Sequence, residues 1–210
     1  MSSLPASGLL PPVSTISDAM GRLNPFDSRL RRRTAGLLVG RAFCVAQVVG
    51  DSATSHLAIE HAPEDSVLVI AAGGFPDRAV WGEILTAAAQ RRGVRGALVD
   101  GAVRDVAEID ARAFPLFSVA VTPAGPHKSG GGSWGGQVCC AGALVSTGDL
   151  IVGDEDGVVA VPAAHADEIL ERAHTIVERE REILEAVGRG ESTVDLLGLR
   201  PGGRARDQND

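Results

Sequence analysis

Hydrophobic and polar positions along the chain follow two patterns. Short apolar runs bounded by Gly, Pro, Asp or Ser predict buried strands, and stretches with apolar residues every three or four positions predict helices. Val67-Leu68-Val69-Ile70-Ala71-Ala72 is one such run, and Gly96-Ala97-Leu98-Val99 is another. Between them, residues 78–92 carry Val80, Ile84, Leu85 and Ala88 on one side and are followed by Gly93, which predicts a helix with a glycine stop. Gly73-Gly74 reads as the turn that separates the first strand from this helix. Two strands flanking one helix predict a βαβ unit, and parallel sheets place ligand sites beyond the carboxyl ends of their strands. Glu83, Arg104, Asp105 and Glu108 all fall at such ends, so the 73–108 stretch is the candidate small-anion and metal site.

The remaining pattern fills in a single domain. Ser14 or Thr15 is a candidate cap for a short helix through Met20. Residues 36–49 read as a buried strand, 55–61 as a helix, 106–113 as a short helix and 115–121 as a strand. Residues 122–136, rich in glycine and proline, read as a loop. Three β segments then follow at 138–145, 150–152 and 158–161, joined by tight turns at 146–149 and 153–157. A long helix is expected over 164–187, with an apolar stripe from Ile169, Leu170, Ala173, Ile176, Val177, Ile183, Leu184 and Val187. The stripe is longer than a small core needs, so part of it is expected to pack on another subunit. The expected division is a loose arm over 1–12, an α/β domain over 13–198 and a polar, disordered tail over 199–210.

Composition narrows the function classes. A net charge of −7 argues against a general nucleic-acid binder, and no tyrosine with 3% aromatic residues leaves little for base stacking. Arg29, Arg31, Arg32 and Arg33 form a local basic cluster, read as a solvated loop or as inter-subunit ion pairs. The three cysteines, Cys44 and the adjacent Cys139 and Cys140, form no disulfide framework, which suits a reducing cytoplasm. No apolar run approaches the roughly 20 residues a membrane helix needs. The five histidines show no ligand spacing and read as surface or satisfied polar residues.

Three acidic positions and one arginine carry the candidate chemistry. Asp105 with Glu108 three residues on is either a capping-box pair at a helix start or, through Asp105, a hard oxygen ligand for Mg²⁺. Arg104 offers a planar fork for a substrate carboxylate. Glu83 either complements a helix N-terminus or sits behind a metal site, and the amides from Gly82 to Leu85 could bind an anion. Glu180 lies inside the apolar stripe of the last helix, either snorkelling at its edge or delivered into a neighbouring subunit's cleft. Lys128, the only lysine, marks no Schiff-base motif.

The ordered set of motifs resembles the RraA-like family, which includes class II 4-hydroxy-4-methyl-2-oxoglutarate/4-carboxy-4-hydroxy-2-oxoadipate aldolases and the regulator of ribonuclease activity. The pattern is Glu83, twenty residues, Arg104-Asp105, two residues, then Glu108. Ser17-Asp18-Ala19-Met20-Gly21, Val99 to Asp105, Phe114-Pro115-Leu116-Phe117, Val121-Thr122-Pro123 and Gly148 to Asp154 also resemble the family, so the match spans about 14–198. The resemblance implies a compact α/β sandwich of the swivelling β/β/α type, a single domain with a long C-terminal helix, assembled as trimers or hexamers. It implies a divalent metal, Mg²⁺ or Mn²⁺, held directly by Asp105 and through water by Glu83 and by Glu180 of a neighbour. Arg104, Gly82, Ile84 and Leu85 would hold a pyruvate-like 2-oxo acid. The implied activity is metal-dependent cleavage of a 4-hydroxy-2-oxo acid to pyruvate, with oxaloacetate decarboxylation at the same site. The alternatives are a non-catalytic regulator of an RNA-degrading nuclease, or a family member acting on an unrelated acid. The glycine-rich 130–136 stretch departs from the family pattern and is a candidate for shaping the pocket.

Overall fold

The computed structural model describes residues 10–199. The expected arm over 1–12 and tail over 199–210 lie almost wholly outside that range. The chain folds around one mixed sheet built from β1 (Arg31–Arg32), β2 (Leu38–Ala46), β3 (Ser66–Trp81), β4 (Gly96–Val103), β5 (Leu116–Val121), β9 (Leu150–Gly153) and β10 (Val158–Val161). Its order is β1-β5-β4-β3-β2-β9-β10, and a short β6 (Ser133–Trp134) pairs with β2. β2, β3, β4 and β5 run parallel, while β1, β9 and β10 add antiparallel edges. β7 (Gln137–Cys140) and β8 (Ala143–Ser146) form a separate hairpin.

The period of two along the parallel strands explains the layers. Leu68, Ile70, Val99 and Val103 point to one face, where they pack on Ala58 and Ile59 of α2 (Ala53–His61), Leu85 and Ala89 of α3 (Glu83–Arg91) and Ile109 of α4 (Val106–Ala111). Val67, Val69 and Leu98 point to the other face, against Val138, Cys140, Ala143 and Val145 of the hairpin. The result is hairpin, sheet and helices in sequence, the expected β/β/α arrangement. A third cluster joins β9 and β10 to α1 (Val13–Ala19) and the start of α5 (Ala166–Gly188), through Val159, Val161, Ile16, Ile169 and Ala173. Full burial of each such aliphatic side chain contributes about 1.5–3 kcal/mol, so these clusters are the main source of stability.

Several expectations need correction. The Gly73-Gly74 turn is an irregular stretch inside β3: both glycines have positive φ (73° and 68°), and pairing with β4 resumes at Phe75, Ala79 and Trp81 after register shifts. Helix α3 therefore begins at Glu83, and residues 78–81 are strand. Neither Ser14 nor Thr15 caps α1; Pro12 occupies the cap position, and the Val13 N–H donates to Asp154 Oδ2 at 2.9 Å. The arginine cluster is largely satisfied within the chain: Arg29 pairs with Asp27, Arg32 with Glu155, and Arg33 donates to the Ser118 hydroxyl and carbonyl. The apolar stripe of α5 is packed mainly in its first half, through Ala166, Ile169 and Ala173; Ala186 is buried again near its end, but Leu184 is 69% exposed. Of the adjacent cysteines, Cys140 is buried and Cys139 exposed, as alternation along β7 requires. No helix among the described residues is long and apolar enough to cross a membrane.

Candidate active site

The carboxyl ends of β3 and β4 deliver the site. Trp81, the last residue of β3, is 1% exposed, lies parallel to Phe114 and donates its indole N–H to Thr86 Oγ1 at 2.8 Å. Thr86 Oγ1 in turn donates to the Gly82 carbonyl at 3.1 Å, so the start of α3 is locked to the core. The Trp81 carbonyl accepts the Arg104 N–H at 3.0 Å, which ties the end of β4 to the same point.

Asp105 follows in a left-handed conformation, φ 57° and ψ 38°, a region that few residues other than glycine occupy and in which Asp is over-represented. Strained backbone of this kind concentrates at functional sites. The conformation separates the residue's two roles. Its carbonyl accepts the Ile109 N–H and starts α4, but its side chain makes no cap bond there, so the expected capping box with Glu108 is not formed. The carboxylate turns back instead to α3, where Oδ2 accepts the Glu83 N–H at 3.1 Å and lies 3.5 Å from Arg104 Nε. Gly82 is required by this approach: a Cβ there would lie 2.7 Å from Asp105 Oδ2 and 3.1 Å from Arg104 Cγ.

An open, shallow cleft forms above these groups. Gly82, Ile84, Leu85, Arg104 and Asp105 line it, together with Ser52, His56, Pro126 and Lys128, which the sequence did not single out as site residues. The Arg104 side chain is 40% exposed, and its one ion pair among the described residues is the approach of Nε to Asp105 Oδ2 at 3.5 Å. The Ile84 and Leu85 amides, in the first turn of the nine-residue α3, have no acceptor among the described residues. Free helix N-terminal amides and a free guanidinium fork together suit a carboxylate.

Two candidates sit apart from the cleft. Glu83 flanks it, with Oε1 held by Arg112 at 2.7 and 3.1 Å. Glu180 is exposed on the outer half of α5 and does not line the cleft of its own chain. The glycine-rich 130–136 stretch also stays away from it: β6 pairs with β2, and Trp134 stacks on His61 with ring centroids 5.2 Å apart. The segment just before those glycines, with Pro126 and Lys128, is the part that reaches the site.

His56 is the group in the cleft whose titration is displaced. Burial lowers its pKa from the usual 6.5, and the nearby Lys128 charge adds to the effect. The imidazole is therefore neutral near pH 7 and able to accept a proton.

Among the described residues no three His, Cys, Asp or Glu side chains gather as a ready-made metal cage. The donor set nevertheless fits a magnesium-like ion. Asp105 is 37% exposed at the cleft, and its Oδ1 has no partner among the described residues. Mg²⁺ uses one or two carboxylates and keeps several waters, so a single open carboxylate oxygen suits it.

A family model described as RraA-like, Aldolase/RraA, matches residues 13–160. The chain belongs to the RraA-like family. A protein of Halalkalibacterium halodurans with the provisional name 4-hydroxy-4-methyl-2-oxoglutarate aldolase is 34% identical over 163 residues, 77% of this chain and 78% of that one. Two solved structures are similar. One, an uncharacterized protein from Pseudomonas syringae pv. tomato, superposes with a TM-score of 0.78 at 27% identity, covering 93% of this chain and 95% of that one. The other, the RNA-processing inhibitor RraA from Thermus thermophilus, has a TM-score of 0.66 at 26% identity, covering 72% of this chain and 92% of that one. RraA-like relatives thus carry both an aldolase name and an inhibitor name.

Proposed function

We propose that the protein is a divalent-metal-dependent aldolase that cleaves a 4-hydroxy-2-oxo acid, such as 4-hydroxy-4-methyl-2-oxoglutarate, to pyruvate. The observation that carries this reading is the grouping at the cleft: among the described residues Arg104 pairs only with Asp105, the Ile84 and Leu85 amides have no acceptor, and beside them Asp105 keeps one carboxylate oxygen open. A surface that only docks a protein does not need both.

The residues divide the work as follows. The Ile84 and Leu85 amides and the α3 dipole hold the C1 carboxylate of the substrate. Arg104 sets its guanidinium against the 2-oxo oxygen, where negative charge grows as the C3–C4 bond breaks and its electron pair enters the enolate. Asp105 would hold the metal, which when bound would supply Lewis-acid charge stabilisation at the reacting end. The C4 hydroxyl loses its proton as C4 becomes a carbonyl, and His56, neutral and in the same cleft, accepts it. Return of that proton to C3 of the enolate then yields pyruvate and restores neutral His56. Decarboxylation of oxaloacetate passes through the same enolate, so the site is suited to both reactions. Glu83, held by Arg112, steadies the start of α3, and Glu180 is the acid that a neighbouring subunit of a trimer or hexamer would contribute.

The test is pyruvate release from a panel of 4-hydroxy-2-oxo acids and oxaloacetate, with Mg²⁺, Mn²⁺ or EDTA. Metal-dependent release that disappears in Asp105→Ala supports the reading. Absence of release across the panel contradicts it and favours the second reading, a nuclease-binding regulator, for which the likeness to the RNA-processing inhibitor speaks.

A further inference from the structure

We infer that Gln47 is a positioning residue of the cleft: it caps α2 in place of Ser52, and so leaves the Ser52 hydroxyl free beside His56. The cap stands on the geometry of α2 alone; the use of the freed hydroxyl by a substrate rests on the aldolase reading.

Ser52 occupies the N-cap position of α2. Serine caps well there, because its side-chain oxygen can accept the N–H two or three residues on. Ser52 makes no such bond. Its backbone, φ −120° and ψ −4°, lies outside the extended region usual for a cap, and its hydroxyl reaches only the His127 carbonyl, at 3.5 Å. The Ser55 N–H, which Ser52 would otherwise cap, donates instead to Gln47 Oε1 at 3.1 Å, and the Ser55 hydroxyl donates to the same oxygen.

Gln47 is a costly cap. It follows β2, donates its own N–H to the Ala71 carbonyl at 3.0 Å and is 8% exposed. The Ser55 N–H can only donate, so the atom facing it is the carboxamide oxygen and the orientation of the amide is fixed. Nε2 is thereby left buried with no acceptor among the described residues, which destabilises the fold. Stability alone would favour Ser52 as the cap and an apolar residue at 47, two positions after buried Val45 on the same face of the sheet. The departure is accounted for if Ser52 has another task.

The position of Ser52 supplies that task. Ser52 and His56 are four residues apart and share one face of α2, with the His56 N–H on the Ser52 carbonyl at 3.3 Å. Both line the cleft with Arg104 and Asp105. The bond to the His127 carbonyl is long, so the Ser52 hydroxyl can turn and donate to the C4 oxygen of the acid while His56 takes the proton of that oxygen.

The experiment is a double-mutant cycle between Gln47→Met, which keeps the length of the side chain and removes its acceptor, and Ser52→Ala. The readouts are thermal unfolding and kcat/KM for pyruvate release. In the wild-type background Ser52→Ala should leave Tm within about 1 °C, because Ser52 is not the cap, and lower kcat/KM about 3- to 10-fold, the loss of one hydrogen bond. In Gln47→Met the Ser52 hydroxyl should turn to the Ser55 N–H, so this variant alone should show the same activity loss. Adding Ser52→Ala to it should cost no further activity but lower Tm by about 2–4 °C, the loss of a helix cap in a chain of this size. Gln47→Glu keeps the acceptor, so in that background Ser52→Ala should again leave Tm unchanged. Tm losses that merely add, or activity losses that multiply, overturn the inference. Because the Tm arm needs no turnover, an exchange of caps in a protein that releases no pyruvate would retain Gln47 as the cap of α2 and reject the aldolase reading.

Discussion

Gly82→Ala probes the geometry of the site without touching its charged groups. The added Cβ would meet Asp105 Oδ2 at 2.7 Å and Arg104 Cγ at 3.1 Å. Carbon atoms prefer separations nearer 3.5 Å, so Asp105 or the first turn of α3 must shift by roughly half an ångström. Oδ2 also holds the Glu83 N–H at 3.1 Å, so that shift misaligns the carboxylate, the α3 amides and Arg104 together. Misplacement by about 1 Å can lower turnover about 100-fold, so a loss of roughly 10- to 100-fold in kcat/KM is expected. The fold should barely notice. Gly82 has extended backbone, φ −166° and ψ −170°, which alanine also adopts. Alanine is a poorer helix cap than glycine by up to about 1 kcal/mol, but it narrows the unfolded ensemble by about 0.4–1 kcal/mol. The net change is within about 1 kcal/mol, a Tm shift of at most about 4 °C for a chain of this size. Pyruvate release and thermal unfolding, measured on the same preparation, check both halves. Activity within twofold of wild type would mean that the close approach does not set the site, and a collapse in Tm would mean that Gly82 serves the fold instead.

Other outcomes follow from the same geometry. Arg104→Lys keeps the charge and loses the planar fork, so kcat/KM should fall about 10- to 100-fold, roughly the loss of one charge-assisted hydrogen bond, and wild-type kinetics would make Arg104 merely the partner of Asp105. Mixing Asp105→Ala with Glu180→Ala under subunit exchange should restore part of the activity if Glu180 completes a neighbour's site; no recovery despite exchange would remove it from that role. His56 has a folded pKa below the unfolded 6.5, so the unfolded chain binds more protons in that interval and stability falls as pH drops through 6.5 towards the folded value. His56→Asn should flatten that acid limb in denaturant titrations between pH 5 and 8, and an unchanged pH slope would contradict the assignment.

What the sequence made legible is what local pattern controls. Val67 to Ala72 and Gly96 to Val99 are continuous apolar runs because both faces of those strands are covered, and their carboxyl ends bring Arg104 and Asp105 to the site as the βαβ reading requires. The pattern misled where distant pairing outweighed local signals. Gly73, Gly74, Pro76 and Asp77 all suggest a turn, yet β3 continues to Trp81 because the far half of β4 supplies partners, with the irregular residues absorbed as register shifts. Asp105 looked like a capping residue for α4, but its left-handed backbone sends the carboxylate to α3, and no sequence rule encodes that turn. His56 and Lys128 share no motif. They meet because buried Asp51 clamps the loop to α2, a contact between residues 78 and 79 positions apart. A signal was present in Lys128 being the only lysine in the chain, without any indication of its neighbours.

The central claim is that Arg104, Asp105 and the start of α3 stabilise a pyruvate enolate, and it can be tested without knowing the rest of the substrate. Pyruvate alone, incubated in D₂O with the protein and Mg²⁺, should exchange its methyl protons faster than in buffer, followed by the loss of the methyl signal in proton NMR. The account predicts exchange that disappears with EDTA and in Asp105→Ala, and that is strongly slowed in Arg104→Lys. Exchange no faster than in buffer, or undiminished in Asp105→Ala, would contradict it.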